Sequence, residues 1–236
     1  MSKVIDPIER IGTRIISCDR QCHGIVCRQS DGYYPRAFFL DPRDSPEVQV
    51  LIVGKNPGCA TPLEKEFYKV LGEKNEDKKA TYKDCETVWR AIARVHQYFL
   101  RPRHLVEELG LDEKGLLWAE AVFCERSPTT RGIPVQTLEN CRERFLREII
   151  ETLVPAGKHI VCLGGEAFKS AKGVVGQHNR WKVIGVHHPT GRSSFANYFA
   201  KGGEKLADRP LKGRVREDFR KLEEQAAYLQ WFKPPQ

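Results

Sequence analysis

The stretch VQVLIVGKNPG, residues 48–58, places an amide side chain where a strand gives way to a polar loop. Its first half is apolar and β-branched with almost no polar alternation, which predicts a strand buried on both faces of a parallel sheet. Gly54 ends this strand, and Pro57-Gly58 is typical of a turn. Ligands of open α/β sheets bind beyond the carboxyl ends of the strands, so we expect Asn56 at the mouth of a site. A plain turn with an incidental Asn fits about equally well, since short turn motifs give many false matches.

Eight cysteines form the second group of residues able to do chemistry. Because nothing in the chain resembles a secretory signal, we expect an intracellular, cytoplasmic protein, in which cysteines serve metal ligation, chemistry or core filling rather than disulfides. Three fall within SCDRQCHGIVC, as Cys18, Cys22 and Cys27, directly after a predicted helix. Cys124 and Cys141 are separated by sixteen residues. The remaining three are interpreted as core or incidental residues: Cys59, Cys85 and Cys162.

Four strand-length apolar runs alternate with amphipathic helical patterns. The predicted strands are residues 48–53, 116–124, 159–163 and 181–186. The predicted helices are residues 5–16, 61–72, 85–100 and 137–153, one starting directly after the third strand, and residues 208–231. Residues 31–46 are expected to be irregular with one short extended piece. The alternation predicts an α/β fold, a three-layer sandwich with a central, mostly parallel four-stranded sheet. The loops GKNPG and HHPTGR and the AEAVFCERSP stretch follow or surround three strand ends and would open to one crevice.

The composition predicts one domain with a polyanionic partner. The chain has 236 residues, 40% of them hydrophobic, which is ample for one well-cored domain and small for two, so we expect a single domain over residues 1–236. The longest apolar runs have the length of strands, which argues against a membrane span. Lys and Arg number 39 against 31 Asp and Glu, and the net charge of +8 favours nucleic acid, although dispersed surface lysines would give the same sum.

Taken together, these loops resemble the uracil-DNA glycosylase superfamily. Its members have a Gly-x-Asn/Asp-Pro or Gly-Glu-x-Pro-Gly loop early in the chain and a His-Pro-Ser-type loop late. GKNPG is similar to the loops of the mismatch-specific and single-strand-selective branches, and HHPTGR aligns with the late loop at residues 188–192. The segment CERSPTTRGIPVQTLENC followed by ETLVPAGKHIVCLGGEAF resembles the iron-sulfur branches, families 4 and 5. The similarity spans about residues 18–192.

The resemblance implies an activity and a partner. The expected function is a DNA glycosylase that hydrolyses the N-glycosidic bond of uracil or another deaminated base in base excision repair. The expected partner is single- or double-stranded DNA with the damaged base flipped out, bound by a monomer.

The resemblance also implies a cofactor. The iron-sulfur branches hold a 4Fe-4S cluster with two N-terminal cysteines and two more about sixteen residues apart, the separation of Cys124 and Cys141. The N-terminal group departs from the usual C-x-x-C pattern. Cys18 and Cys22 are the expected ligands because they follow a helix end, with Cys27 in reserve. Zinc is an alternative for four thiolates, but C-x3-C without a paired knuckle is a poor zinc pattern.

Within the two loops, the resemblance assigns individual roles. Asn56 takes the water-orienting position, and His188 the position that donates to the carbonyl oxygen of the leaving base as charge develops. Arg192 stands where the family has a wedge that fills the gap left by the flipped nucleotide. Phe67 or Tyr68 would offer an aromatic face to the base, although their helical spacing fits core packing at least as well. Further substrate contacts are expected from Gly54, Lys55, Pro57, Gly58, Thr190 and Gly191.

Two residues depart from the family pattern. Glu120 stands where families 4 and 5 commonly have an Asn that reads the uracil edge, and an ionised carboxylate can accept there but not donate, unless burial protonates it. Glu120 therefore favours an alternative function, a catalytically silent iron-sulfur member that binds nucleic acid or senses damage. Lys55 would contact phosphate or, less readily, attack C1′ as a Schiff-base nucleophile. Since Glu120 across the crevice would hold the Lys55 amine protonated, we expect a monofunctional enzyme.

Overall fold

A computed structural model of the chain describes residues 6–26, 34–36, 38–42, 44–58, 64–66, 68, 81–95, 99, 102–103, 106, 111, 114–130, 132–176 and 180–186. Its elements follow in chain order. They are α1 (Pro7–Ile16), β1 (Ile25–Val26), β2 (Phe39–Asp41), β3 (Val50–Gly54), α2 (Tyr82–Val95), β4 (Leu116–Glu120), β5 (Glu125–Arg126), α3 (Val135–Cys141), a π-helical turn (Arg142–Leu146), α4 (Arg147–Leu153), β6 (His159–Leu163), α5 (Gly165–Val175) and β7 (Lys182–Val186).

The central sheet has five strands in the order β2-β4-β3-β6-β7. The four strands predicted from the apolar runs are confirmed and run parallel to one another. β2 adds an antiparallel edge to β4 and lies within the stretch predicted as irregular with one extended piece. The second predicted strand ends at Glu120 rather than Cys124. Beyond it, the amides of Ala121 and Val122 still donate to the carbonyls of Gly54 and Lys55, so the ladder continues into the loop that carries Asn56.

Helices cover both faces of the sheet, which confirms the predicted sandwich. On one face α5 packs closely, and a Cβ added at Gly185 would lie 3.0 Å from the Phe168 ring. Trp118 aligns across the sheet with Ile184, the neighbour of Gly185, so Trp118 points to the opposite face. There Phe99 packs edge-on against Trp118, with ring centroids 5.0 Å apart.

The predicted N-terminal helix and the helix over 137–153 are both confirmed, with shifted starts. α1 begins after Asp6, whose carboxylate accepts from the Ile8 amide at 3.0 Å. The second helix begins at Val135 and continues through the π-helical turn into α4, because the residues on either side of that turn keep helical backbone angles. Residues 64–66 and 68 are helical, in agreement with the helix predicted there. The helix predicted over residues 208–231 lies outside the described residues.

No helix in the described part of the chain is long and apolar enough to cross a bilayer.

Candidate active site at the carboxyl edge of the sheet

The carboxyl ends of the four parallel strands share one edge, with a crevice between β3 and β6. From β3 the chain connects to β4 on one side, whereas from β6 it connects to β7 on the other. Neighbouring strands whose connections diverge in this way leave a crevice in which ligands of open α/β sheets bind. The GKNPG loop follows β3 and Gly164 follows β6, so the loop predicted from the sequence borders this crevice.

The GKNPG loop is fixed by its own backbone and by the end of β4. Gly54 and Pro57 are buried, Asn56 is half-buried and Gly58 is exposed. The Asn56 side-chain amide donates to the Pro57 carbonyl at 2.7 Å. Together with the bonds from residues 121 and 122, this contact holds the Asn56 side chain in a set direction. Its carbonyl oxygen is the group suited to accept a hydrogen from a water molecule.

Glu120 is brought beside this loop by strand register. It pairs with Gly54 across β3 and β4, two residues from Asn56, and its side chain is buried. Burial raises its pKa to about 8, and the nearby charge of Arg36 only partly opposes the shift. Among the described residues, Glu120 Oε2 has no hydrogen-bond partner. At neutral pH, Glu120 is therefore mainly a neutral acid, the condition under which it can donate a hydrogen bond.

Among the described residues, Arg36 is the cation whose charge acts on Glu120, but it is bound to another carboxylate. Its guanidinium donates to Glu64 Oε1 at 2.6 Å, and the Glu64 side chain is only 1% exposed. Burial by itself would lower the pKa of Arg36, but Glu64 and other neighbours raise it overall. The Arg36 amide donates to the Phe123 carbonyl at 2.7 Å, which fixes the segment beside the end of β4.

Lys55 lies in the GKNPG loop, as expected, but its partner is on the other side of the crevice. Its ammonium group donates to Glu166 Oε1, 2.6 Å away, in the first turn of α5. Burial opposes the effect, but the hydrogen bond and charge of Lys55 lower the pKa of Glu166 overall. The pair joins the connection after β3 to the one after β6. Its partner is thus Glu166, whereas the sequence suggested Glu120.

Tyr68 fits the packing alternative. It is 5% exposed, its hydroxyl accepts from the Trp89 indole at 2.9 Å, and its ring lies 5.4 Å from that of Tyr34. With its hydroxyl bound and its ring in the core, Tyr68 supports the fold around Arg36 and Glu64. The other candidate aromatic, Phe67, lies outside the described residues.

The segments that carry three of the proposed cluster ligands are joined by hydrogen bonds. β1, which follows Cys22, pairs antiparallel with β5, which begins directly after Cys124. Thr137 Oγ1 donates to the His23 carbonyl at 2.8 Å, and Thr137 lies one helical turn before Cys141. The chain therefore draws these segments towards one another, as shared ligation requires.

The side chains of the cysteines differ in burial. Cys124 and Cys141 are buried, whereas Cys18 and Cys22 are half-buried. Within the part of the chain that the structure describes, no group of three or more His, Cys, Asp or Glu side chains is arranged to hold a metal ion. The four-cysteine ligand set stays a prediction. Two of the three cysteines interpreted as core or incidental, Cys85 and Cys162, are fully buried, in agreement with core filling.

The late loop begins just beyond the described residues. β7 ends at Val186, whose carbonyl accepts from the Gly164 amide at 2.7 Å. In the sequence, His188 follows two residues later. The predicted site residues that lie outside the described residues are Phe67, His188, Thr190, Gly191 and Arg192, together with Cys27 and Cys59.

Sequence reasoning missed Arg36, Glu64 and Glu166. Each acts through a partner distant in sequence: the Arg36 contact spans 28 residues and the Lys55 contact spans 111. The only local signal was the position of Glu166 in GGEAF, at the start of a predicted helix directly after a strand.

The fold and this edge define an α/β protein with its ligand site at a topological switch point. Residues 42–210 match the family model of the uracil DNA glycosylase superfamily. The match covers well over half of the chain, which therefore belongs to this superfamily. A search of curated proteins gave no match. The matched range contains GKNPG, Glu120 and residues 188–192, and it begins after Cys18 and Cys22.

Proposed function

We propose that this protein is a monofunctional DNA glycosylase that hydrolyses the N-glycosidic bond of uracil or another deaminated base. Superfamily membership indicates glycosylase activity on DNA. The finer proposal rests on the register of β3 and β4. In this register the buried acid Glu120 pairs with Gly54, which lies two residues before Asn56. Asn56 would orient a water, and Glu120 would contact the base.

Asn56 acts on the water rather than as a base. An amide cannot accept a full proton at neutral pH, so its part is to orient a water toward C1′ of the sugar while the base departs. The leaving base gains negative charge, and His188 donates to its carbonyl oxygen, a type of contact that contributes ~3 kcal/mol. Arg192 fills the gap left in the duplex by the flipped nucleotide. The roles of His188 and Arg192 rest on the sequence resemblance.

Lys55 supports the monofunctional assignment. A bifunctional glycosylase needs an uncharged amine at the moment of attack on C1′. The Lys55 ammonium is instead engaged by the Glu166 carboxylate at 2.6 Å. Lys55 therefore serves to join the two sides of the crevice, and the product is an intact abasic site.

An oligonucleotide panel tests this function. Uracil, hypoxanthine, xanthine and thymine mismatches are presented in single and double strands, and strand breaks are measured with and without alkali. We expect breaks only after alkali, with at least one deaminated base. Asn56→Ala should lose excision, whereas Gln49→Ala, an amide just before the opposite end of β3, should keep it. Binding to every substrate with no excision would support the catalytically silent alternative instead.

We further propose that a 4Fe-4S cluster is bound by Cys18, Cys22, Cys124 and Cys141. The hydrogen bonds that join the segments following Cys22, following Cys124 and preceding Cys141 support it. Thiolates are the ligands such clusters require, and the cluster would brace the N-terminal segment against the rest of the fold.

The metal content tests the cofactor. Anaerobically purified protein should be brown and contain about four irons per chain. Cys124→Ala and Cys141→Ala should lose iron, whereas Cys162→Ala, a core cysteine of β6, should retain it. Stoichiometric zinc in protein prepared under iron-replete, anaerobic conditions would exclude the cluster.

A further inference from the structure

Glu120 is a buried carboxyl group with a cation close by that does not neutralise it. Its Oε2 has no hydrogen-bond partner among the described residues, although the side chain is almost completely enclosed. A buried polar atom without a partner is costly, and its retention indicates that something else binds there. Glu120 lies opposite Gly54, at the edge that borders the crevice. Under the proposed glycosylase function, the partner expected for Glu120 at this edge of the sheet is the target base.

The cation beside Glu120 is already committed. Arg36 donates to Glu64 at 2.6 Å, and Glu64 is the more enclosed of the two side chains. The two side chains are 2.6 Å apart and largely enclosed, so the Arg36–Glu64 pair is held firmly. Glu120 receives only the residual field of Arg36 and retains its proton.

Two charged residues on or directly after the neighbouring strands are also paired. Lys55, directly after the strand next to Glu120, is bound to Glu166. Asp41, on the other neighbouring strand, lies in register with Leu116 at the far end of β4 and pairs with Arg103. Among the described residues, Arg36 is the charged group that acts on Glu120.

The protonation state decides which base edge Glu120 can bind. A neutral carboxylic acid accepts through one oxygen and donates through the other, whereas a carboxylate only accepts. Uracil, hypoxanthine and xanthine each present a ring N–H beside a carbonyl oxygen. A neutral acid satisfies both groups, but a carboxylate would face the carbonyl oxygen with a second acceptor.

We propose that Glu120 binds the target base as a neutral acid, accepting from the ring N–H and donating to the adjacent carbonyl oxygen, and that Glu64 maintains this form by holding Arg36. The inference rests on the proposed glycosylase function and specifies its substrates as bases with an N–H beside a carbonyl. Glu64 is a positioning residue that acts through Arg36, while Glu120 contacts the base.

Single-turnover excision of uracil between pH 6 and pH 9 tests the proposal. The wild type should lose activity as the pH rises through about 8, where Glu120 ionises. Glu120→Gln keeps one donor and one acceptor but cannot ionise, so the excision that remains in this variant should not show the pH limit. Glu64→Gln frees Arg36 to pair with Glu120, so the limit should move to lower pH, and excision at pH 7 should fall about tenfold or more.

A double variant should shift the pH limit of excision in the opposite direction to Glu64→Gln. Arg36→Gln combined with Glu64→Gln removes both charges of the pair, including the cation that favours the ionised form of Glu120, so the pH limit should move above that of the wild type. A purely structural role for the pair would not shift the limit in opposite directions in the two variants. Thermal unfolding confirms that each variant is folded at the assay temperature.

Binding to DNA that carries 2′-fluoro-2′-deoxyuridine, whose glycosidic bond resists hydrolysis, separates base reading from catalysis. In each variant, the affinity for this DNA relative to undamaged DNA should fall at the same pH at which excision falls. If the wild type excises no base but its binding shows these pH limits, the glycosylase function is refuted and the role of Glu120 in binding the base is not. A pH limit that persists in Glu120→Gln, or that stays fixed in folded Glu64→Gln, refutes the inference.

Discussion

The pH dependence of stability provides a test of Glu120 that needs no substrate. In the folded protein, burial raises the pKa of this carboxyl group from 4.5 to about 8. Between these two values the folded state keeps the proton and the unfolded state releases it, so wild-type stability falls as the pH rises. Glu120→Gln has the same shape and does not titrate. The substitution should therefore become progressively more favourable, relative to the wild type, from pH 4.5 to pH 8.

The expected size of the effect follows from linkage. Each pH unit within this window changes the difference in unfolding free energy by ~1.4 kcal/mol. At pH 7 the accumulated difference is about 3 kcal/mol in favour of the glutamine variant, relative to its value at pH 4.5. Above pH 8 the difference should become constant, because the group is then ionised in both states.

Urea unfolding at half-unit intervals from pH 4.5 to pH 9 measures this difference. Glu166→Gln is the matched control. The pKa of Glu166 is lowered on folding, so that carboxylate stabilises the protein above its unfolded pKa, and this contribution is lost only as the pH falls below that value. From pH 4.5 to pH 9 the difference in unfolding free energy between Glu166→Gln and the wild type should therefore stay nearly constant. If the Glu120→Gln and wild-type free energies run parallel across the whole range, Glu120 is an ordinary carboxylate and the reasoning about base reading fails with it.

Three further predictions concern the loop and the core. Asn56→Ala should lower single-turnover excision by about 10²-fold or more with little loss of DNA affinity, as measured by rapid quench and by titration; excision at the wild-type rate would contradict its role. Borohydride should trap no covalent adduct with uracil DNA, since the Lys55 amine is engaged by Glu166; an adduct that disappears in Lys55→Ala would overturn this. Tyr68→Phe leaves the buried Trp89 indole N–H without its acceptor and should cost ~1–3 kcal/mol in urea unfolding with excision retained; loss of excision in a stable variant would instead show that the hydroxyl contributes to the site.

The parallel sheet could be predicted because each of its strands carries its own signal. Residues 50–54 and 159–163 are continuous apolar runs, as strands buried on both faces must be. β2 could not be predicted as a full strand, since it has only three residues and is a strand because it pairs with β4. The end of β4 was misjudged because Ala121 to Phe123 remain buried after the regular strand ends, so the apolar pattern is longer than the strand.

The candidate site was predictable only in its loops. GKNPG lies at the end of β3, as a strand followed by turn residues requires. The charge state of Glu120 could not be read from the sequence, because it depends on enclosure by the folded chain and on the partner that Arg36 selects. That partner, Glu64, lies in a helical segment which the sequence assigned only by its periodicity.

Two carboxyl groups at this edge of the sheet therefore have opposite charge states, because they differ in burial and in the cation available to each. Glu166 is partly exposed and has Lys55 at 2.6 Å, so it is ionised and forms an ion pair that spans the crevice between β3 and β6. Glu120 is buried, and burial keeps it protonated because the charge of Arg36, which is bound to Glu64, only partly opposes the shift. When their environments separate the pKa values of two carboxyl groups, one site contains both a hydrogen-bond donor and a fixed charge. A neutral donor at Glu120 is compatible with Lys55 in the neighbouring loop because the Lys55 ammonium is bound to Glu166, and Arg36 is the cation that acts on Glu120 among the described residues.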